Sequence, residues 1–320
     1  MTKLADGLTL EITSRTMLTP DIVRIDLARA DGGSLPPFTA GAHIDILVDD
    51  GLVRQYSLCN PPAERHRYQI AVLREPQSRG GSAMVHKAFH PGRQAIVGAP
   101  RNLFALAPDG GRHILIGGGI GITPIVSMAA ALAEGGAPFE LFYCCRTPEN
   151  AAFGSTVEAL GGRICFSRHP GAAPLDMSVA LASPGADTHV YVCGPAAFMN
   201  SVREEALRLG WAESRIHREL FQPAEPLTDE GDQPFDVRIA STGATFTIPP
   251  RASVASVLTD AGIDVPVSCE QGVCGTCVTA VLDGVPDHRD SYLTDEERAE
   301  GKLFTPCCSR ARSPLLLLDL

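Results

Sequence analysis

Apolar side chains recur at every second position in LTLEI, IVRIDL, HIDILV and YQIAVL, all within the first 107 residues of this 320-residue chain. A period of two puts one set of side chains on one face of a pleated strand. The breaks between these runs, TPD, LPPFTAG, DDG and NPPAE, hold the Pro, Gly, Asn and Asp that turns require. Short strands so spaced predict an antiparallel β-barrel over residues 1–107, ahead of the first clear helix.

From 108 to 222 the pattern changes. HILIGGG, FELFYCCR, RICFSRH and HVYVCGP are apolar runs of the buried-strand type. A small-residue helix follows HILIGGG, with Thr123 placed to cap it and Pro124 in its first turn, and AAFMNSVREEALRLG reads as a second helix before IHRELF. Strands alternating with helices predict an α/β domain whose parallel sheet is covered on both sides. QPAEPLTDEGDQPF has no period and is rich in proline and acid, which marks a linker at 223–233. In the remaining segment, 234–320, FDVRIASTGATFTIP alternates as strands around a turn at Gly243, and SVASVLTDAGI forms a short helix that Ser253 can cap.

Composition narrows the function. With 44% hydrophobic and 20% charged residues the chain is of globular type, and its length calls for two or three domains. Its 37 acidic and 27 basic residues give a net charge of −10 without a basic cluster, which argues against nucleic acid as partner. No run approaches the ~18 apolar residues that span a bilayer, and MTKLADGLTLEITSR lacks the apolar core of a signal peptide. A cytoplasmic protein without membrane attachment is expected. In that reducing compartment ten cysteines do not make a disulfide framework, so clustered ones point to metal or redox work.

The cluster is SCEQGVCGTCVTAVL, with Cys269, Cys274 and Cys277 spaced C-x4-C-x2-C, followed at a distance by Cys307 and Cys308. Structural zinc usually takes two close pairs, whereas this spacing with a distant fourth cysteine is the plant-type [2Fe-2S] pattern. Gly272 and Gly275 let the backbone curl around a compact cluster and aim amides at its sulfurs. Adjacent side chains of an extended segment point opposite ways, so only one of Cys307 and Cys308 can supply the fourth ligand.

CEQGVCGTC, the PDHRD at 286–290 and the ending CCSRARSPLLLLDL resemble the C-terminal ferredoxin domain of the phthalate dioxygenase reductase and vanillate O-demethylase reductase family, and the resemblance extends over essentially the whole chain. It implies three domains in order: an FMN-binding barrel, an NAD-binding α/β domain and a β-grasp-like ferredoxin domain. The family's fourth ligand precedes x-S-R, which selects Cys307, ahead of Cys308, Ser309 and Arg310. RQYSLCN resembles the family's flavin motif R-x-Y-S, so Arg54 is expected at the flavin phosphate, Tyr56 beside the isoalloxazine and Ser57 near its N5. Ala71 and Val72 would line the ring, and Gly80, Gly81 and Ser82 would close over the phosphate.

GGGIGITP does not match the dinucleotide fingerprint G-x-G-x-x-G, because Ile122 or Pro124 falls where its third glycine belongs. It resembles instead the G-G-G-x-G-x-T-P loop of ferredoxin-reductase nicotinamide domains, which implies Gly118, Gly119, Thr123 and Pro124 at the pyrophosphate. By the same resemblance Cys193, Gly194 and Pro195 lie beside the nicotinamide, Arg146 meets a ribose or phosphate unless it is merely solvated, and Glu219 and Phe221 close on the flavin. Ser57 and Cys193 are the residues expected at the reacting atoms. The implied activity is transfer of hydride from NADH, or alternatively NADPH, to FMN, and of single electrons through [2Fe-2S] to a Rieske-type aromatic oxygenase or demethylase, by a monomer. The alternatives are an NAD(P)H-dependent reductase for another soluble acceptor or for a non-aromatic Rieske monooxygenase and, in a different class, a zinc-stabilised binding module.

Overall fold

The structure is a computed structural model that describes residues 4, 7–49, 52–76, 80–221 and 231–320. Most of the expected linker at 223–233 therefore lies outside the described residues. The chain divides into two compact units, Met1–Glu219 and Leu220–Leu320.

The first unit opens with strands β1 (Leu8–Met17), β2 (Ile22–Ala28), β3 (His43–Asp49), β4 (Leu52–Ser57) and β5 (Tyr68–Leu73), then helix α1 (Gly81–Ala88) and strand β6 (Gln94–Val97). They form an antiparallel sheet in the order β4-β3-β6-β1-β2-β5, and a bridge from Leu58 to Ile70 brings its two edges together into a nearly closed barrel. The every-second-residue pattern acts as expected. Leu10, Ile12, Val23, Ile25, Leu27, Ile44 and Ile46 fill the interior. Helix α1 is not announced by that pattern, because it buries only Gly81 and Val85, too few positions to show a helical period.

A parallel sheet follows: β7 (Arg112–Gly118), α2 (Ile122–Gly135), β8 (Phe139–Cys145), α3 (Gly154–Ala159), β9 (Arg163–Phe166), α4 (Met177–Ala180), β10 (Thr188–Cys193), α5 (Ala196–Arg208) and β11 (Ile216–Glu219). The strand order is β11-β10-β7-β8-β9, parallel throughout. Edge strand β9 is only partly buried, unlike the interior strand its apolar run suggests. Thr123 is not the cap of α2. A 3-10 turn over Gly119–Gly121 runs straight into the helix, so the boundary falls at Gly121, and the Thr123 hydroxyl donates to Ile120 O at 3.0 Å.

Barrel and parallel sheet share a core, in which Ile22, Ala40, Cys59, Ala71 and Phe104 pack with Leu115, Ile122, Val126, Tyr143 and Tyr191. Polar contacts reinforce that junction: Ser127 Oγ donates to Asn60 O at 3.0 Å and the Ala107 amide donates to the Tyr191 hydroxyl at 2.7 Å. Trp211 is buried after α5, its Nε1 donating to Leu181 O at 2.9 Å.

The second unit holds β12 (Phe235–Ile239), β13 (Thr245–Ile248), α6 (Val254–Asp260), β14 (Thr279–Asp283), β15 (Pro286–Asp287), α7 (Asp295–Glu300), β16 (Leu303–Phe304), β17 (Arg310–Ala311) and β18 (Leu315–Leu318). A mixed sheet, β13-β12-β18-β14-β16, carries α6 on an apolar core that includes Val237, Ile239, Val254, Leu258, Phe304 and Leu316. The Ser253 hydroxyl accepts the Ser256 amide at 3.0 Å, and Gly243 turns with φ 72°, as the sequence predicts. No helix among the described residues is long and apolar enough to cross a membrane.

Candidate functional site

Strand β4 ends in Arg54-Gln55-Tyr56-Ser57. The stem of Arg54 crosses α1 at its first residue: a Cβ on Gly81 would stand 2.7 Å from Arg54 Cγ and 2.8 Å from its Nε. Glycine at 81 leaves the Arg54 stem room to pass. Gly80, in the left-handed conformation at φ 92°, turns the chain into α1. A guanidinium and the amides of a helix start thus converge, which is the chemistry of a phosphate seat. The Ser82 hydroxyl at this turn accepts the Glu75 amide at 3.1 Å.

Tyr56 packs on the barrel core and burial pushes its phenol well above the ordinary range. Ala71 and Val72 are buried on β5, Ala71 in the core shared with the parallel sheet and Val72 in the barrel core, with the imidazole of His86 donating to Val72 O at 2.9 Å. What Val72 can offer a ring is therefore backbone.

The three parallel strands β7, β10 and β11 end in one row, Gly117, Cys193 and Glu219. Beyond them the two loops interlock. Gly121 lies so close to the backbone of Cys193 and Gly194 that a Cβ there would overlap it. A Cβ on Gly118 would stand 2.8 Å from the ring of Phe198, and one on Gly194 would meet the Gly118 backbone at 3.1 Å. Glycines here let two backbones touch at the start of α2. Thr123 is buried in that first turn, and Pro124 removes no amide the helix needs. Arg146 stands exposed just past the end of β8.

At the junction of barrel and sheet the Ser57 hydroxyl donates to Glu219 Oε2 at 3.3 Å. Burial pushes Glu219 up to about 8, with the Ser57 hydrogen bond opposing. Cys193, its register neighbour, is fully buried, and burial first, then the Glu219 carboxyl, hold its thiol neutral. A neutral buried thiol is no nucleophile. Ser57, Cys193 and Glu219, far apart in the chain, meet at one point. Phe221 lies two residues past β11 and is 37% exposed.

In the second unit the four expected thiols form two pairs. Cys269 and Cys274 are hydrogen-bonded to one another, and so are Cys277 and Cys307. Two irons each needing two thiolates suit this arrangement better than one tetrahedral ion, and no four-ligand group for a single ion gathers among the described residues. Cys274 is drawn down to about 5, chiefly by the Cys269 hydrogen bond, against burial. The Gln271 amide donates to Cys269 Sγ at 3.3 Å, as an amide-lined loop requires. Cys307 is hydrogen-bonded to Cys308 as well, and the Cys308 sulfur lies 3.4 Å from Thr305 Oγ1 and presses on Gly272, where a Cβ would be 2.6 Å away.

What anchors this loop lies outside the cysteine spacing. Asp290, inside the PDHRD segment, is buried. Its Oδ2 accepts the amides of Leu293 at 2.8 Å and Tyr292 at 3.1 Å, and its Oδ1 accepts the hydroxyls of Thr305 at 3.3 Å and Ser309 at 3.4 Å. Arg298 neutralises it at 3.6 Å, and the Ser291 amide ties the same turn to Gly272 O at 2.8 Å. The Asx-turn signal of an aspartate ahead of SYLT was available.

A nearly closed barrel joined to a parallel sheet, followed by a four-thiol unit, defines an electron-transfer oxidoreductase of the flavin, nicotinamide and iron-sulfur type. Residues 237–312 match the family described as 2Fe-2S iron-sulfur cluster binding domain. The vanillate O-demethylase oxidoreductase of Pseudomonas putida is 49% identical over 97% of this chain and 98% of its own length. The phthalate dioxygenase reductase of Burkholderia cepacia is 41% identical over 98% of both. A solved structure of phthalate dioxygenase reductase, described as modular for electron transfer from pyridine nucleotides to [2Fe-2S], superposes with a TM-score of 0.78 at 38% identity and 98% coverage of each chain. The chain belongs to the phthalate dioxygenase reductase and vanillate O-demethylase reductase family.

Proposed function

We propose that this protein is the reductase component of a two-component oxygenase or demethylase of the Rieske type, drawing on NADH. FMN, when bound, accepts a hydride and releases electrons one at a time, and a [2Fe-2S] cluster carries them singly to the partner. The chain's residues supply position and electrostatics. Arg54 with the amides at Gly80, Gly81 and Ser82 would hold the flavin phosphate, and Tyr56, Ser57 and the β5 backbone at Ala71 and Val72 would flank its ring. Gly118, Gly119, Thr123 and Pro124 would seat the pyrophosphate at the start of α2, with Arg146 at the far ribose or phosphate. Cys193, Gly194 and Pro195 would border the nicotinamide. Cys269, Cys274, Cys277 and Cys307 would ligate the cluster.

The observation that carries this reading is the meeting of Ser57 at a barrel strand end with Cys193 and Glu219 at two sheet strand ends, since hydride transfer needs both rings at one place. Burial keeps Cys193 and Glu219 predominantly neutral at neutral pH. A second acceptor class is favoured by one relative, the carnitine monooxygenase reductase subunit of Escherichia coli, 38% identical over 95% of this chain, whose name specifies no aromatic substrate.

Anaerobic titration of the purified protein with NADH, and separately NADPH, tests the reading optically. NADH is expected to bleach flavin and cluster bands together, and addition of an oxidised Rieske oxygenase to restore them. Colourless protein with stoichiometric zinc would overturn it; reoxidation by a carnitine-type oxygenase alone would select the second acceptor class.

A further inference from the structure

The thiols at Cys144 and Cys165 have no part in that reading. Cys144 on β8 and Cys165 on edge strand β9 are direct register partners. Alternation places them on one face: Leu141, Tyr143 and Cys145 point into the shared core, as do Ile164 and Phe166, so Cys144 and Cys165 point together to the opposite side. Neighbouring strands lie about 4.8 Å apart, inside the roughly 4.4–6.8 Å Cα separation that a disulfide spans. The two side chains are already hydrogen-bonded. Among the described residues, the other eight cysteines are buried, whereas these two are half-buried and reachable.

We propose that Cys144 and Cys165 form an oxidisable dithiol, a modification site for small hydroperoxides, with Cys165 the attacking thiolate and Cys144 the resolving thiol. The environment is unequal. The hydrogen bond from Cys144 draws Cys165 down to about 7, burial opposes, and the Arg163 guanidinium adds to the lowering, while Cys144 is raised. Arg163, two residues before Cys165 and so on the same face, lies over the Phe142 ring at 4.6 Å and also meets the Glu140 carboxylate at 3.5 Å. A thiolate beside a cation and next to a second thiol is the arrangement of reactive cysteines.

Cys165 thiolate would attack one oxygen of the peroxide, breaking the O–O bond to give a sulfenic acid and hydroxide, or alkoxide from an organic peroxide. The Cys144 sulfur would then displace hydroxide from the sulfenic sulfur, and the Cys144 proton would leave with it as water. Two thiols are oxidised to one disulfide, and the peroxide is reduced by two electrons. The bond would lock the edge strand to β8 in the row that continues into Gly118.

The test uses the full-length, cofactor-loaded protein treated with near-stoichiometric hydrogen peroxide and mapped by mass spectrometry. Wild type is expected to lose two hydrogens in a crosslinked peptide pair spanning Cys144 and Cys165, restored by a thiol reductant. Cys144→Ser should instead trap a dimedone adduct on Cys165, and Cys165→Ser should leave Cys144 unlabelled at the same dose. Alkylation of wild type needs no variant to fold: Cys165 is expected to react at least ~10-fold faster than Cys144 at neutral pH. Absence of both crosslink and adduct, or faster alkylation of Cys144, would overturn the assignment.

Discussion

The two units hold their sites by different means. In the first, backbone meets backbone: Gly121 lies against Cys193 and Gly194, and Gly81 gives passage to the stem of Arg54. In the second, side chains do the holding, four thiols in two pairs around a loop pinned by one buried carboxylate. A site made of side chains can be emptied by one atom's replacement. A site made of backbone resists most substitutions and yields to an added methyl group.

The largest expected break is Cys307→Ser, which should abolish the cluster's absorbance while flavin reduction by NADH persists; Cys308→Ser should keep the cluster, and the reverse result would move the fourth ligand. Next is Asp290→Ala. It takes the carboxylate from Arg298, which keeps only its hydrogen bond to the residue 290 carbonyl, and removes acceptors from two amides and two hydroxyls, so a loss of about 3 kcal/mol is expected, read as a lowered thermal midpoint and reduced iron content. In the first unit Gly121→Ala should cost about 1–3 kcal/mol by overpacking against backbone that cannot yield, with a slower NADH-driven flavin reduction in stopped flow.

The smallest effect is electrostatic. Between about pH 4.5 and 8 folded protein keeps a proton on Glu219 that the unfolded chain has released, so stability falls as pH rises through that window and levels off above it. Glu219→Gln should flatten the profile; because Glu219 is only partly buried, solvent screening reduces the full effect of the shift to a relative gain on the order of 1–2 kcal/mol at pH 8 over pH 5 in urea midpoints. A parent protein with the same slope as the variant would show that Glu219 titrates normally.

The same contrast explains what could be read from the chain. Thiolate ligands must come as cysteines at a near-fixed spacing, so Cys269, Cys274 and Cys277 were visible at once, and the alternating strands and apolar runs likewise predicted both sheets. Backbone sites leave only glycines behind. GGGIGITP shows the loop but not where its helix begins, and the cap expected at Thr123 falls instead to the turn through Gly121. Asp290 draws partners from Thr305 and Ser309, 15 and 19 positions on, at no repeating interval. Glu219 has its hydrogen-bond partner 162 positions earlier, a distance across which only the fold can bring two residues together.

Trp211 is the chain's single tryptophan, and it belongs to the first unit. The molecule therefore carries one fluorescent lamp on one side of its division and, if the thiols are loaded, a coloured metal centre on the other. Tryptophan emission and the cluster's absorbance at wavelengths beyond the flavin bands, followed during the same denaturant titration, would each report a different half, and the separation of their midpoints would measure how far the halves melt as independent bodies.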